Sequence, residues 1–210
     1  MKNSLKTLVA SAMTAIVLSA TVFSSIAAEK VVPIEKVSAK EDIKKVIVQG
    51  NTKVFLVQSN SEWVSVEEGD MDKISVKQMG NTLTVSSAEE KPVTVTVYVK
   101  DLYRISALNN ADVRTVGTFN LAYLQVILRD HAVAHIKAKA ESMYTDMDGE
   151  ANLVLAGATE NHVIKNSGIG SLKTEKLAAF RTENLPAESR LAINTARGKV
   201  KKVNAEGVRK

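Results

Sequence analysis

Strict alternation of apolar and polar residues constrains the fold of this chain more than any other feature. Segment 93–99, VTVTVYV, places valine at every odd position and threonine or tyrosine between them. A period of two is typical of a half-buried β-strand, because neighbouring side chains of a strand point to opposite faces. Segments 43–48, 54–57 and 63–66 are rich in apolar strand-forming residues and are predicted to be strands too, and no stretch of twelve residues carries an apolar stripe at the helical period. The sequence therefore predicts an all-β protein.

Short turn sequences separate the strands of the first half. Residues 49–51, Gln-Gly-Asn, follow one strand and precede a returning strand over 54–57. Residues 79–82, Met-Gly-Asn-Thr, separate a strand that contains Val76 from a strand that contains Leu83 and Val85 in the same way. Glycine and asparagine between two apolar runs predict a strand, a turn and a second strand at both places.

A weak repeat of about 20 residues begins near residue 101. Four segments align, 105–113, 126–133, 147–153 and 164–172, and a fifth copy, 191–200, follows a longer step that contains a proline. Each copy joins an apolar strand through a polar or glycine turn to a second strand, and the aligned hydrophobes are Val113, Val133, Leu153 and Leu172. Such periods are typical of solenoids, whose coils bury their apolar faces by stacking on one another.

The repeat predicts where turn residues and side chains lie. Asn, Asp and Gly accept left-handed backbone geometry, so we expect the turns to stack along one edge of the solenoid. Their residues are Asn109-Asn110, Asp130, Asp148-Gly149, Asn166-Ser167-Gly168 and Arg197-Gly198. In segment 131–140 the even positions are alanine or isoleucine and are expected in a narrow core. The odd positions, His131, Val133, His135, Lys137 and Lys139, are expected to face water.

This order of features resembles the bacterial family of unknown function described as a putative auto-transporter adhesin head, or GIN, domain. Segment 166–172, NSGIGSL, is the nearest match to the Ser-Gly-Ser-Gly turns of that family, and segment 100–105 lies where its first coil begins. The resemblance covers about residues 43–200 and departs at the turns, where Asn, Asp and His replace most of the glycines. It implies a right-handed parallel β-helix, or β-solenoid, with a β-strand-rich N-terminal part. It brings no established catalytic residues.

The N-terminus has the pattern of a secretory signal peptide. Two lysines precede 22 uncharged residues, and Ser25-Ile26-Ala27 offers small residues for cleavage, so residues 1–27 are predicted to be the signal. An uncleaved membrane anchor is the alternative, because the run is long enough to span a bilayer. Residues 28–42 are expected to form a linker or edge segment and 43–210 a single domain with no transmembrane segment. The predicted location is the bacterial periplasm or cell surface.

Composition excludes several function classes. The chain has no cysteine, which excludes disulfides, thiol catalysis and thiolate zinc sites. Its net charge of +5 includes two leader lysines, and aromatic residues for base stacking are scarce, so no nucleic-acid partner is expected. Gly168 and Gly170 lack the third glycine and the helix of a dinucleotide site and indicate a turn. No cofactor is expected.

Three histidines and a short acidic segment are the candidates for metal binding. His131 and His135 lie four apart in a predicted strand, about 13 Å from each other, which is too far to chelate one ion. His162 could approach one of them through stacking, but solvent-facing histidines are the simpler interpretation. Segment 146–152 alternates acidic residues, yet it lacks the glycine and glutamate that an EF-hand requires, so an exposed acidic strand is favoured over a calcium site.

These observations predict an exported, non-enzymatic module that binds a glycan or an envelope protein. The first place to look for binding is the exposed parity with His131, His135, Lys137 and Lys139, although no single residue is assigned. The alternative is a periplasmic polysaccharide-active enzyme, which needs two converging carboxylates such as those of Asp130 and Asp148. A purely structural envelope protein is a third possibility. The basic tail, with seven Lys or Arg from 190 to 210, is expected to be a solvated last coil rather than a lipid or polysaccharide contact.

Overall fold

The computed structural model describes residues 34–39, 41–67 and 70–186, and these form thirteen β-strands with one short 3-10 turn. The predicted all-β class is confirmed. The predicted signal, the fifth repeat copy and the basic tail lie outside the described residues. The strands are β1 (Ile34–Ser38), β2 (Lys45–Gly50), β3 (Thr52–Gln58), β4 (Trp63–Glu67), β5 (Ser75–Met79), β6 (Thr82–Ser87), β7 (Val93–Val99), β8 (Arg104–Ala107), β9 (Asp112–Val116), β10 (Phe119–Leu128), β11 (Val133–Met147), β12 (Asn152–Asn166) and β13 (Leu172–Leu185).

All thirteen strands pair into one mixed sheet. Its order is β1-β4-β7-β3-β9-β11-β10-β8-β2-β6-β5, with β12 added to β11 and β13 added to β12. Most pairs are parallel, as a β-helix requires, but β1 with β4, β4 with β7 and β5 with β6 are antiparallel. A purely parallel sheet is therefore wrong for the N-terminal strands. These antiparallel pairs lie at the two ends of the strand order.

The sheet curls at β11, because this long strand has different partners along its length. Its first residues, 133–135, pair with β9, and residues 138–147 pair with β10. We call β1-β4-β7-β3-β9 the first branch and β10-β8-β2-β6-β5 the second branch. Apolar side chains from both branches form one buried cluster, so the inward faces of the curled sheet enclose a single core.

The two predicted strand–turn–strand units have different outcomes. Residues 79–82 do join an antiparallel hairpin of β5 and β6. The interpretation of 49–51 as a turn between paired strands is wrong, since β2 pairs with β6 and β8 while β3 pairs with β7 and β9. The chain instead crosses from the second branch to the first at Gly50, which has a φ of 71° and approaches the Ser87 carbonyl so closely that a Cβ would collide with it.

A register of 19 residues relates three long strands of the second half, β10, β11 and β12. Partners on β10 and β11, and on β11 and β12, are 19 residues apart in sequence. Val113 and Leu153 both lie opposite Ala134 and not opposite Val133, so these two steps of the predicted alignment are each corrected by one residue, whereas Leu153 does lie opposite Leu172. The reason is parity: Ala134 points into the core, whereas Val133 points outward and lies opposite Asp112.

The turns between these strands stack as predicted. Asn109, Asp130 and Gly149 all have positive φ values, near 60°, 59° and 76°. The backbone N of His131 donates to the Asn109 carbonyl at 3.1 Å, and the N of Glu150 donates to the Asp130 carbonyl at 2.7 Å. Left-handed residues thus recur at one place in the first three repeats, where they let successive turns hydrogen-bond to each other.

The alternation of inward and outward residues along each strand also determines which side chains fill the core. The alanines at 132, 134, 138 and 140 and Ile136 are buried, as predicted for the even parity of this segment. Larger residues from neighbouring strands, among them Leu56, Phe119 and Leu155, occupy the remaining space. Alanine on one strand beside leucine on the next maintains close packing in a core only two sheet layers thick.

Candidate functional site

A row of outward apolar side chains crosses four adjacent strands of the first branch. Trp63 on β4 lies opposite Tyr98 on β7, Tyr98 lies opposite Val57 on β3, and Val57 lies opposite Val116 on β9. We call these four residues the aromatic row. Their sequence neighbours Val64, Val97 and Leu56 are fully buried, so alternation places the row on the outer face.

The two aromatic rings of the row stack face to face. The ring centroids of Trp63 and Tyr98 are 3.9 Å apart, and the ring planes differ by 8°. Both side chains are half-buried, and Val116 at the other end of the row is 52% exposed. A tryptophan and a tyrosine stacked in this way give the outer face an apolar area with polar atoms at its margin.

Polar and charged groups border the aromatic row. The neighbouring outward row on the same four strands also consists of residues that lie opposite one another, namely Ser65, Thr96, Phe55 and Arg114. The Arg114 guanidinium donates three hydrogen bonds to the Asp112 carboxylate, at 3.0, 3.2 and 2.9 Å, and these raise the pKa of Arg114 above its ordinary value. The row is therefore an apolar strip beside hydroxyl groups and a fixed guanidinium charge.

The predicted basic face continues this surface onto β11. His135, Lys137 and Lys139 are exposed, as expected, and His135 lies opposite Arg114. The backbone N of Lys137 donates to the Thr115 side chain at 2.8 Å, which keeps β11 close to the end of the row. We call these three residues the cationic strip. His131 is exposed too, but it belongs to a turn, where its Nε2 lies 3.5 Å from a Glu150 carboxylate oxygen.

His162 does not join the other histidines. It is only 2% exposed, and its Nε2 lies 2.9 Å from the Thr145 hydroxyl, one repeat earlier. The expectation that His162 faces solvent or approaches His131 or His135 is wrong, because residue 162 has inward parity in the second half of β12. Burial lowers the pKa of the His162 imidazole below its ordinary value of 6.5, so the ring is neutral at pH 7.

The acidic candidates are not brought together. Asp146 pairs with Arg129 at 2.8 Å, Asp148 accepts a hydrogen bond from the Gly149 backbone, and Asp130 accepts one from the Asn109 backbone. Asp130 and Asp148 therefore act within the turns. Within residues 34–39, 41–67 and 70–186, no three His, Cys, Asp or Glu side chains are close enough to hold a metal ion.

A second surface feature lies where β11 and β12 bend. A shallow depression of about 390 Å³ opens between Leu121, Ala140, Ala158 and the ring of Phe180, with Glu141 and Glu160 among its lining residues. Phe180 is 89% exposed. Glu141 and Glu160 occupy neighbouring register positions on adjacent strands, which makes them the closest approach in this region to the two carboxylates that an enzyme would need.

The aromatic row was not predicted from the sequence. Alternation does assign Trp63 and Tyr98 to strands, with their side chains opposite in parity to the valines. It contains no signal that β4 pairs with β7 or that β7 pairs with β3, since these strands are separated by 25 residues or more. Without those pairings the four residues are unrelated positions along the chain.

One comparison with known proteins identifies the family. The family model for the putative auto-transporter adhesin, head GIN domain, matches residues 42–206. A search of curated proteins finds no match. In the part of the chain that the structure describes, no helix is long and apolar enough to cross a membrane.

Solved structures share the fold at low sequence identity. A putative adhesin from Parabacteroides merdae is 16% identical, with a TM-score of 0.58 over 73% of this chain and 76% of that one. A putative lipid binding protein from Parabacteroides distasonis is 13% identical, with a TM-score of 0.56 over 72% of this chain and 77% of the other. A putative adhesin from the same organism is 15% identical, with a TM-score of 0.53 and coverages of 73% and 77%. Identities this low establish similarity of fold.

Proposed function

This chain belongs to the family of the putative auto-transporter adhesin, head GIN domain, and we propose that it is an exported, non-enzymatic module that binds glycans through the aromatic row. The single observation that carries the proposal is the stacked pair of Trp63 and Tyr98 on the outer face. A sugar ring has one apolar face of C–H groups and a polar rim, so it matches an aromatic surface bordered by hydroxyl and guanidinium groups.

The fold that we propose for this module is a right-handed β-solenoid closed by antiparallel strands at its N-terminal part. The 19-residue register and the stacked left-handed turns support it. Repeated coils present outward side chains at the strand spacing of about 4.8 Å, so a polymer with repeating units could make several weak contacts at once.

We infer that the module works outside the cytoplasm, in the periplasm or at the cell surface. The adhesin naming of the family is consistent with this location. The signal-like segment 1–27 supports export, and the absence of cysteine removes any dependence on the redox state of the compartment.

Glycan binding is preferred to lipid binding because of what surrounds the row. Ser65 and Thr96 lie one register position from the rings, and Arg114 continues the same line. The hydroxyl groups of Ser65 and Thr96 match sugar hydroxyls, whereas an acyl chain would offer them no hydrogen-bond partner. Phospholipid vesicles nevertheless belong in the test, since one similar structure is described as a putative lipid binding protein.

The experiment is a binding screen of the purified protein against glycans, envelope polysaccharides and phosphatidylcholine or phosphatidylglycerol vesicles. We expect saturable glycan binding that Tyr98→Ala weakens and that Tyr123→Ala leaves unchanged. Tyr123 is the matched control because it is an exposed tyrosine, 62% accessible, on a different strand. Binding that both variants retain equally, or binding to vesicles alone, would contradict the proposal.

The enzymatic alternative is tested in the same samples. Bound polysaccharides are incubated with the wild type and with the Glu141→Gln/Glu160→Gln variant, and new reducing ends or unsaturated products are measured. A glycan-binding module leaves the polymer intact in both cases. Cleavage that the double variant abolishes would instead assign an active site to the depression.

A further inference from the structure

Two rows of lysines lie on the outer face of the sheet, one on each side of β12. The first row is Lys137 and Lys139 on β11, which also belong to the cationic strip, and the second is Lys173 and Lys176 on β13. All four side chains are exposed. We call these four residues the lysine rows. The outward residues of β12 between them are short and half-buried, namely Val154, Ala156 and Ala158.

The register places the two rows on either side of the same β12 residues. Lys137 and Lys176 both lie opposite Ala156, and Lys173 lies opposite Val154. Because adjacent strands are about 4.8 Å apart, the two rows are about 10 Å apart, and successive outward positions on one strand are about 7 Å apart. An alanine side chain is much shorter than a lysine side chain. An extended polymer therefore has room to lie along β12 with cations on both sides.

The charge of the lysine rows is not neutralised within the part of the chain that the structure describes. Elsewhere Lys44 and Lys73 form ion pairs with aspartates at 3.1 and 2.7 Å, but none of the lysines in the two rows is within ion-pair distance of a described carboxylate. Glu175 lies in the second row, where β13 has one extra residue relative to β12. Glu141 and Glu160 lie further along, at the bend. Four cations thus accompany one carboxylate along this part of the surface.

We propose that the lysine rows bind an acidic polysaccharide, whose chain lies along β12 with its carboxylate, sulfate or phosphate groups against the ammonium groups. The inference rests on the proposed glycan binding and assigns the chemical class of the glycan. The two surfaces adjoin, since the Thr115 hydroxyl, next to Val116 of the aromatic row, accepts the hydrogen bond from the Lys137 backbone at 2.8 Å. Flexible lysines suit anionic groups whose spacing is not fixed, because an ammonium is a point charge with rotatable donors.

The residues between the rows favour a polysaccharide over the two other common polyanions. Single-stranded nucleic acid is held by aromatic rings on which its bases stack, and neither the rows nor the β12 residues between them include an aromatic residue. A bilayer surface is bound by cations together with apolar side chains that insert into it. Here the apolar residues between the rows are shorter than the lysines and half-buried.

The test compares polygalacturonate with its fully methyl-esterified form, which has the same backbone without the charge. Isothermal titration calorimetry in 0.1 M salt gives both affinities. We expect the acidic polymer to bind at least about tenfold more tightly, with the preference decreasing as the salt concentration rises. Single-stranded DNA and phosphatidylglycerol vesicles are titrated as competing polyanions.

Three variants locate the binding. Lys137→Ala/Lys176→Ala removes one lysine from each row and should weaken binding of polygalacturonate about threefold. The matched control, Lys77→Ala/Lys91→Ala, removes the same charge from exposed positions outside the rows and should leave the affinity unchanged. Glu175→Gln removes the carboxylate of the second row and should strengthen binding about twofold, a gain that a folding defect does not produce.

Several results would overturn the inference. Polygalacturonate that does not bind, or that binds no more tightly than its ester, would do so. If Tyr98→Ala still weakens binding of the ester, the proposed function stands without the lysine rows. Equal losses in the two lysine variants would show attraction by net charge alone. Tighter binding of DNA or of vesicles than of polygalacturonate would assign the rows to a nucleic acid or to a membrane surface.

Discussion

The aromatic row and the cationic strip belong to the same outer face, but their chemistry differs. Beneath the row the first branch buries valine and leucine, such as Val97 and Leu56, and beneath the strip β11 buries Ile136 and Ala138. The inward side chains of both regions are apolar, because burial of apolar area stabilises both. The outward sides are not: one carries stacked rings and the other exposed cations. The inward-facing side chains therefore specify the fold, whereas the outward-facing side chains can differ between regions and carry function.

The largest predicted change is a loss of stability when an inward residue below the aromatic row is replaced. Leu56 is fully buried, and Leu56→Ala removes its side chain from a packed core, which should lower the free energy of unfolding by about 2–5 kcal/mol. The adjacent outward change Val57→Ala should cost less than about 1 kcal/mol. Chemical denaturation of both variants measures the difference, and similar losses would show that the two parities are not separable.

The next effect concerns ligand affinity. Tyr98→Ala removes one of the two stacked rings and should weaken glycan binding about tenfold, which is the scale of an interface aromatic. Isothermal titration calorimetry of the wild type and the variant gives the ratio. If the affinity is unchanged while a variant of the cationic strip loses binding, the roles of the two regions are reversed.

The buried histidine predicts an effect of pH on stability. Because burial lowers the pKa of His162, the unfolded chain binds more protons than the folded chain as the pH falls from 7 through 6.5. The melting temperature should therefore decrease on acidification over this range, and His162→Gln should flatten that part of the profile. An unchanged slope in His162→Gln would contradict this assignment.

The smallest effect is expected from the cationic strip. The Lys137→Ala/Lys139→Ala variant should bind a neutral glycan as the wild type does. It should bind an anionic polysaccharide about threefold more weakly at low salt, with the difference lost near 0.5 M salt, where exposed charges are screened. Titrations at two ionic strengths check this. Equal weakening for neutral and anionic polymers would mean that the strip contacts the sugar itself.

Sequence alternation predicted the local structure well, because it reflects which side of each strand is buried. It assigned strands, the inward alanines of segment 131–140 and the stacked turns at Asn109 and Asp130. It did not predict partners that are distant in sequence. The chain crosses between the branches at Gly50, where the Ser87 carbonyl leaves no room for a Cβ atom. His162 points inward, where its ring contacts the Thr145 hydroxyl, one repeat earlier. Both facts, like the aromatic row, depend on pairing between strands that are far apart in the chain.

Trp63 is the only tryptophan of the chain, and it lies in the proposed binding site, so its fluorescence reports on that site alone. The most direct test is to titrate the protein with a glycan identified in the screen and to record emission excited at the tryptophan band. Binding through the aromatic row predicts a saturable change in Trp63 emission, with a midpoint equal to the calorimetric dissociation constant and shifted by Tyr98→Ala. Calorimetric binding with unchanged Trp63 emission would contradict it and place the ligand elsewhere on the molecule.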